Sequence, residues 1–453
     1  MPGDALTQSL PFDPANPRAA LTELPHTAAV FALYGAEAHA EPYIGRTPNL
    51  RARLERLLQP SPKHPRRLQL AGRVRHIAWR LTGSDFESLL LQFELLEKVY
   101  GPKSLDRMHL GAPSFIRYLG SNAYPRITIT NRPSQREADW AYGPFQSRAG
   151  AERFAEEALK LFLLRRCTFD LDPDPNYPGC VYSEMKMCLA PCYKGCTDER
   201  YKEESTAVES FLATRGESRL VTLRTLRDQA SADLEFEAAA ALHSQVQRVE
   251  AVRSLAPELV RPLGQLRAVI LQASANPDEV AVFLHENAQL RGPAAFSIIG
   301  MRIQNEQSGS SSLFAQPMAI EPIPEKTGVR DQGSGISISF KAENETRPDS
   351  TSETGVTATD KLPRGLLESR LEVALATLAK SSEPPSSTIR QGHLALLKRW
   401  YYRPEVRRSG EIFFPDSEGR WPIKPILRGI GRVAAKQLKP SSVKPQESPA
   451  PTP

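Results

Sequence analysis

The sequence predicts a mixed chain: a small α/β domain at the N-terminus, a cysteine-bearing central domain, an α-helical hairpin, and a polar linker and tail without fixed structure. Three observations carry this. Short strand-like and helix-like runs alternate before residue 106, all five cysteines fall between 167 and 196, and residues 198–252 have an almost unbroken helical pattern. The expected units are a flexible leader over 1–25, the α/β domain over 26–106, a Cys-cluster domain over 107–200, a helical region over 201–256, a short β unit over 257–304, a disordered linker over 305–363, a helical C-terminal region over 364–440 and a disordered tail over 441–453.

The first 25 residues are rich in Pro and Ala, hence the leader. Val30–Tyr34, Pro42–Ile44 and Arg73–Leu81 read as strands, and Leu50–Leu58 as a basic helix. Ser84 followed by Glu87 is a capping box that opens a helix running through Lys98, with Leu89, Leu90, Phe93 and Leu96 among its apolar residues. Tyr124–Asn131 alternates like a strand, and Ala149–Leu164 is an amphipathic helix that delivers the chain to Cys167. The helical stretch 198–252 has a break near Arg215-Gly216 and a tight turn near Asp233–Glu235. Ala268–Gln272 and Glu279–Leu284 alternate and suggest a β unit, whereas 305–363 is too rich in Ser, Gly, Thr, Glu and Pro to bury a core. Helices are expected near 364–380 and 391–402. Ile426–Leu438 contains a Gly-x-Gly that suits a helix-hairpin-helix, but a plain basic helix suits it better; Trp400, Tyr401 and Tyr402 suit core packing better than base stacking.

With 453 residues and a net charge of +6, the chain is mildly basic, which is compatible with a nucleic-acid partner. The distribution says more. From Arg46 to Arg80 there are ten Lys or Arg residues against the single acid Glu55. Such a run is either a solvated basic face or a phosphate contact, with Arg51, Arg56, Arg66 and Arg67 as candidate DNA-binding residues. No apolar stretch is long enough to span a bilayer, and no basic-then-apolar secretory signal opens the chain, so no membrane association and a cytoplasmic location are expected. An odd number of clustered cysteines in a reducing compartment points to metal rather than disulfides. Cys167, Cys180, Cys188 and Cys192 are the candidate ligands, with Cys196 a bystander or substitute.

Val30-Phe31, then Tyr43-Ile44-Gly45, Arg46 and Asn49-Leu50-Arg51-Ala52-Arg53-Leu54, resemble the GIY-YIG nuclease motif, and specifically the N-terminal domain of the UvrC excinucleases. Tyr142-Gly143-Pro144-Phe145, the run from Leu161 to Cys167, and Cys188-Leu189-Ala190-Pro191-Cys192 are similar to the central region of the same family. The resemblance implies a phosphodiester-cleaving site in which Tyr43 helps to activate water and Arg46 and Arg53 hold the phosphate, with Mg²⁺ or Mn²⁺ on a glutamate of the later helix. Two positions depart from the pattern. Phe31 replaces the first tyrosine and cannot exchange a proton. Gln92 stands where the metal glutamate belongs and brings no charge to a hard cation. Glu87 and Glu94 lie off the face of Gln92 and do not replace it. The resemblance also implies a [4Fe–4S] cluster on the four cysteines. Zinc is the rival, although only Cys188/Cys192 has the tight spacing of a zinc knuckle.

Asp228–Val252 resembles the UVR motif, the two-helix hairpin through which the excinuclease proteins UvrB and UvrC associate. Leu234, Phe236, Ala239, Leu242 and Val246 recur at helical intervals as an apolar face for a partner, with Leu234, Phe236 and Leu242 the partner-binding candidates. The family's second, RNase H-like nuclease domain is not recognisable, since Asp331, Asp349 and Asp360 fall in the low-complexity tract. Two functions therefore compete: an endonuclease of nucleotide excision repair making one metal-assisted incision in DNA, and a catalytically impaired DNA-binding adaptor that associates with a UvrB homologue.

Overall fold

The computed structural model describes residues 5–37, 40–59, 70–133, 139–301, 363–380 and 384–438. The expected linker and tail, Arg66, Arg67, and Asp331, Asp349 and Asp360 lie outside the described residues. The architecture is mixed α/β, with three antiparallel four-stranded sheets among the described residues.

The N-terminal unit runs β1 (Gln8–Pro11), α1 (Pro17–Thr22), β2 (Ala29–Tyr34), β3 (Tyr43–Thr47), α2 (Leu50–Leu58), β4 (His76–Leu81), α3 (Asp85–Tyr100) and α4 (Lys103–Arg107). Its strands lie in the order β1-β4-β2-β3. Period-2 alternation gives β2 two buried faces. Phe31 and Leu33 pack with Leu21, Leu50 and Leu54 on the α1/α2 side, while Val30 and Ala32 pack with Leu91 and Leu95 of α3. The helix starts are capped as their residues dictate. Asn49 Oδ1 accepts the Ala52 N–H at 3.0 Å, and Ser84 Oγ accepts the Glu87 N–H at 3.1 Å. Glu87 reaches back one residue further than a capping box requires, accepting the Gly83 N–H at 2.9 Å.

The expectation of a flexible leader is corrected here. Gln8–Pro11 pairs with His76–Trp79, and Phe12, Ala20, Leu21 and Leu24 are buried in the same core as Phe31. Pro-rich composition hid this because an edge strand tolerates proline, as does the first turn of a helix, where Pro17 sits.

The central unit continues with β5 (Ser114–Leu119), β6 (Arg126–Thr130), β7 (Asp139–Phe145), α5 (Arg148–Leu159), the cysteine segment with α6 (Val181–Glu184), then α7 (Asp198–Ala213), α8 (Glu217–Ala232), α9 (Phe236–Ser254) and β8 (Arg261–Pro262). The sheet order is β6-β5-β7-β8. Gly216, at φ +84, makes the bend between α7 and α8 that a side chain would resist. The base of the α8/α9 hairpin is part of the unit's core: Leu220, Leu223, Val246, Val249 and Val252 pack with Phe154, Phe162 and Phe211.

The C-terminal unit consists of β9 (Ala268–Ala273), β10 (Glu279–Glu286), β11 (Gln289–Ser297), α10 (Arg364–Ala379), α11 (Ser387–Tyr401), β12 (Glu411–Phe413) and α12 (Ile423–Gln437). The separate β unit and helical region expected from the sequence form a single α/β unit, because β12 pairs with β9 from the far side of the linker. α10 and α12 cover one face of the sheet through Leu371, Leu375, Ile426 and Ile430, and α11 covers the other through Leu394, Leu397 and Trp400. α12 runs as one helix through Gly429 and Gly431, so Ile426–Leu438 forms no helix-hairpin-helix turn.

The N- and C-terminal units meet on α3. Phe86 stacks edge-on against Phe283 of β10 and Trp400 of α11, with centroids 5.2 and 5.4 Å apart, and Phe93 meets His393 at 5.5 Å. His393 Nδ1 accepts the Leu290 N–H at 2.9 Å, and burial pushes its pKa down to about 3, so it stays neutral in this contact. Two glycines permit the approach: a Cβ on Gly392 would overlap the Phe93 ring, and one on Gly83 would overlap the backbone at Ala273–Ala275. Gly392→Ala is therefore expected to destabilise the protein by about 1–3 kcal/mol through overpacking, read from urea unfolding. An unchanged midpoint would mean that α11 is not seated on α3.

Candidate functional site

On β3, alternation separates the residues that the nuclease motif would gather. Tyr43 packs beside the core that contains Phe31, and Ile44 packs on the α3 side with Val30 and Ala32. Arg46 shares the Ile44 face and donates to Asp85 at the start of α3. Phe31 is fully buried opposite Gly45, its ring 6.1 Å from that of Tyr43. A Cβ on Gly45 would press on the Phe31 ring, so the YIG glycine serves packing here.

Arg46 is engaged. Asp85 takes it with one oxygen and takes Arg403, just beyond α11, with the other at 2.6 Å. Burial acts to raise the Asp85 pKa, but the two guanidiniums outweigh it and hold the carboxyl below its ordinary value. Gln92 follows Asp85 by seven residues, a helical offset of about 20°, and so lies on the same face of α3. Glu87 and Glu94 turn elsewhere. With Arg80 and Phe283 they line a small gap against the C-terminal sheet. Burial raises both, Glu94 to about 7.

Among the described residues Arg53 has no ion pair and no side-chain hydrogen bond. Of the candidate DNA-binding residues, Arg51 pairs with Glu55 at 3.1 Å and Arg56 Nε donates to the Ala52 carbonyl at 3.0 Å. Asp85 and Arg403 were missed by sequence reasoning. The position of Asp85 two turns before Gln92 could have flagged it. Nothing local flags Arg403, which is 318 residues away in the chain.

The cysteines do come together. Cys167, Cys180, Cys188 and Cys192 line one cavity of about 130 Å³, walled by Phe169, Leu171, Tyr177, Val181 and Pro191. All are free thiols, and Cys196 is outside this lining. Nitrogen donors point at the sulfurs: Arg165 donates to Cys167 Sγ at 3.5 Å and the Ala190 N–H to Cys188 Sγ at 3.3 Å. Burial pushes the Cys188 thiol up to about 11, whereas at Cys180 the donors of Ser183 overcome burial and hold the thiol below its usual value. No three His, Cys, Asp or Glu side chains among the described residues are placed to hold a single metal ion.

At the hairpin tip, Leu234 and Phe236 are 70% and 67% exposed, with Leu234 at φ +62 in the turn. Leu242 is only half-buried against the central core, and Val246 is fully committed to it. The continuous apolar face expected from 234 to 246 is thus shortened to its outer end, since the inner residues cover the hairpin's own domain. No helix among the described residues is long and apolar enough to cross a membrane.

Residues 115–211 match the family described as UvrC/Cho excinuclease, middle domain. Individual relatives agree. The chain is 30% identical over 211 residues to UvrABC system protein C of Alcanivorax borkumensis, covering 47% of this chain and 34% of that protein. It is 27% identical over 297 residues to the same protein of Ruminiclostridium cellulolyticum, covering 64% and 47%. In Aliivibrio fischeri the figures are 26% over 237 residues, covering 52% and 38%. The aligned region thus spans between a third and a half of the length of these relatives. No solved structure matches.

The Asp85 bridge has a defined pH signature. A carboxyl with a depressed folded pKa contributes stability above its unfolded value, and that contribution fades as pH falls through the folded pKa. Asp85→Asn is expected to unfold at lower urea than the wild type at pH 7, with the gap closing as pH falls below about 3.8. A gap independent of pH would mean that the carboxylate charge contributes nothing.

Proposed function

We propose that the chain is a UvrC-like protein of nucleotide excision repair that works chiefly as a DNA-binding, partner-recruiting scaffold in the cytoplasm, with a GIY-YIG-like unit impaired for incision. One observation carries the reading: Arg46, the residue that would clamp the scissile phosphate, is held by Asp85, which Arg403 secures from the other side. A phosphate at this position would have to displace a carboxylate already fixed by a second cation. Phe31 and Gln92 argue the same way, since neither can move a proton or supply charge to Mg²⁺ or Mn²⁺.

The cysteine cavity favours a [4Fe–4S] cluster over zinc. A mononuclear zinc site needs four ligands converging on one point at about 2.3 Å from the metal. Here the four thiols line a cavity far larger than the ~10–15 Å³ that one water-sized occupant needs. Cys167, Cys180, Cys188 and Cys192 would hold the cluster, which would staple the segment between α5 and α7 to the core. The exposed Leu234 and Phe236 suit a pocket on a UvrB-like partner, with Leu242 at the edge of that contact.

Incision remains the second reading, because Tyr43 is only half-buried and Arg53 has no described ion-pair partner. A supercoiled-plasmid nicking assay with Mg²⁺ or Mn²⁺ separates the two. The expected result is retention and salt-sensitive binding of the plasmid without nicking above background. Robust nicking that Arg53→Ala abolishes would overturn the scaffold reading.

A further inference from the structure

A cavity of about 540 Å³ opens between α5, α8 and α9 at the base of the hairpin, and the repair reading does not use it. Its accessible apolar lining is Leu161, Ala251 and Leu255, since Leu223, Val249 and Val252 are buried in the central core, and Arg153, Arg219 and Arg248 add one guanidinium from α5, α8 and α9 respectively. Lys160 and Glu157 also line it, but they pair with each other at 2.7 Å. Two neighbouring acids are paired elsewhere: Glu217 with Arg253 at 3.0 Å and Glu250 with Arg224 at 2.8 Å. Among the described residues, Arg153, Arg219 and Arg248 have no ion pair and no side-chain hydrogen bond. Arg219 is the most constrained. Its guanidinium lies 5.6 Å over the Phe162 ring, and its buried Nε–H has no acceptor.

Three uncompensated guanidiniums beside an apolar wall require an occupant with both an anion and a hydrophobic body. We propose that this cavity binds an organic phosphate of nucleotide size, with the phosphate shared by Arg153, Arg219 and Arg248 and the base or sugar against Leu161, Ala251 and Leu255. The volume lies in the range of ~300–1,000 Å³ usual for small-molecule sites, too large for inorganic phosphate alone. A phosphate offers three anionic oxygens to forked donors arriving from three helices, whereas a carboxylate offers two, which favours phosphate over an acidic peptide. The ligand has two candidate sources, a free nucleotide or the terminal nucleotide of a DNA strand. The site stands apart from the GIY-YIG-like unit and the cysteine cavity, so it does not depend on how either is read.

Titration calorimetry of the full chain with ADP, and with a short single strand bearing or lacking a 5′-phosphate, tests this. Saturable binding is expected for ADP, for the phosphorylated strand, or for both, and the pattern identifies the source. Arg219→Ala and Arg248→Ala should each weaken it about tenfold or more. Arg420→Ala, at an exposed arginine already paired with Asp416 at 3.1 Å, should leave it within about twofold. Arg248 is exposed, so its variant keeps the test valid if Arg219→Ala fails to fold. Absence of saturable binding by either probe, or binding indifferent to both substitutions, would overturn the proposal. Tighter binding of hexaglutamate than of ADP would overturn it in favour of an acidic-peptide site.

Discussion

The structure depends on the burial of α3 from two sides. A helix that serves one domain needs one apolar stripe, with polar residues opposite. α3 has two: Leu91 and Leu95 seal the N-terminal sheet, while Phe86, Leu89, Leu90 and Phe93 enter a core made with β10, α11 and Phe115 of β5. All three units therefore share one helix. The glycines at 83 and 392 are the corollary, since each lies where the neighbouring unit comes too close for a side chain.

That sharing fixes the chemistry of the candidate site. In the proposed reading, incision would need the face of α3 around Gln92 to be open to DNA. Here the C-terminal unit lies against the same helix and brings Arg403 to Asp85, and Asp85 in turn holds Arg46. Burial of Phe31 and the turning of Glu87 and Glu94 toward the C-terminal sheet point the same way. Of the residues that the nuclease motif would gather, Arg46 is thereby drawn into a contact between units, while the four cysteines line one cavity and the hairpin tip stays exposed.

What was legible in the sequence was local. The Ser84 cap, α2, β2, the Gly216 break and the turn at 233–235 are short-range patterns, and the structure has each within a residue or two. The four cysteines carry their own spacing, so their shared cavity could be foreseen. What was hidden is long-range. β12 has only three residues and pairs with a strand that precedes it by about 140 positions, so the C-terminal unit looked like a β fragment followed by loose helices. β1 was hidden by its prolines. Val246 has the right spacing for a partner-facing stripe, yet periodicity cannot say which body that stripe faces, and here it is the hairpin's own domain.

The central claim, that α3 is the shared core of the N- and C-terminal units, is tested most directly by native-state hydrogen exchange. If it holds, the amides of Leu89 to Leu96 exchange only in the globally unfolding class, together with those of β9 and β10. Exchange of α3 in a separate, less stable class, with β9 and β10 still protected, would show that the N-terminal unit opens on its own and would contradict the claim.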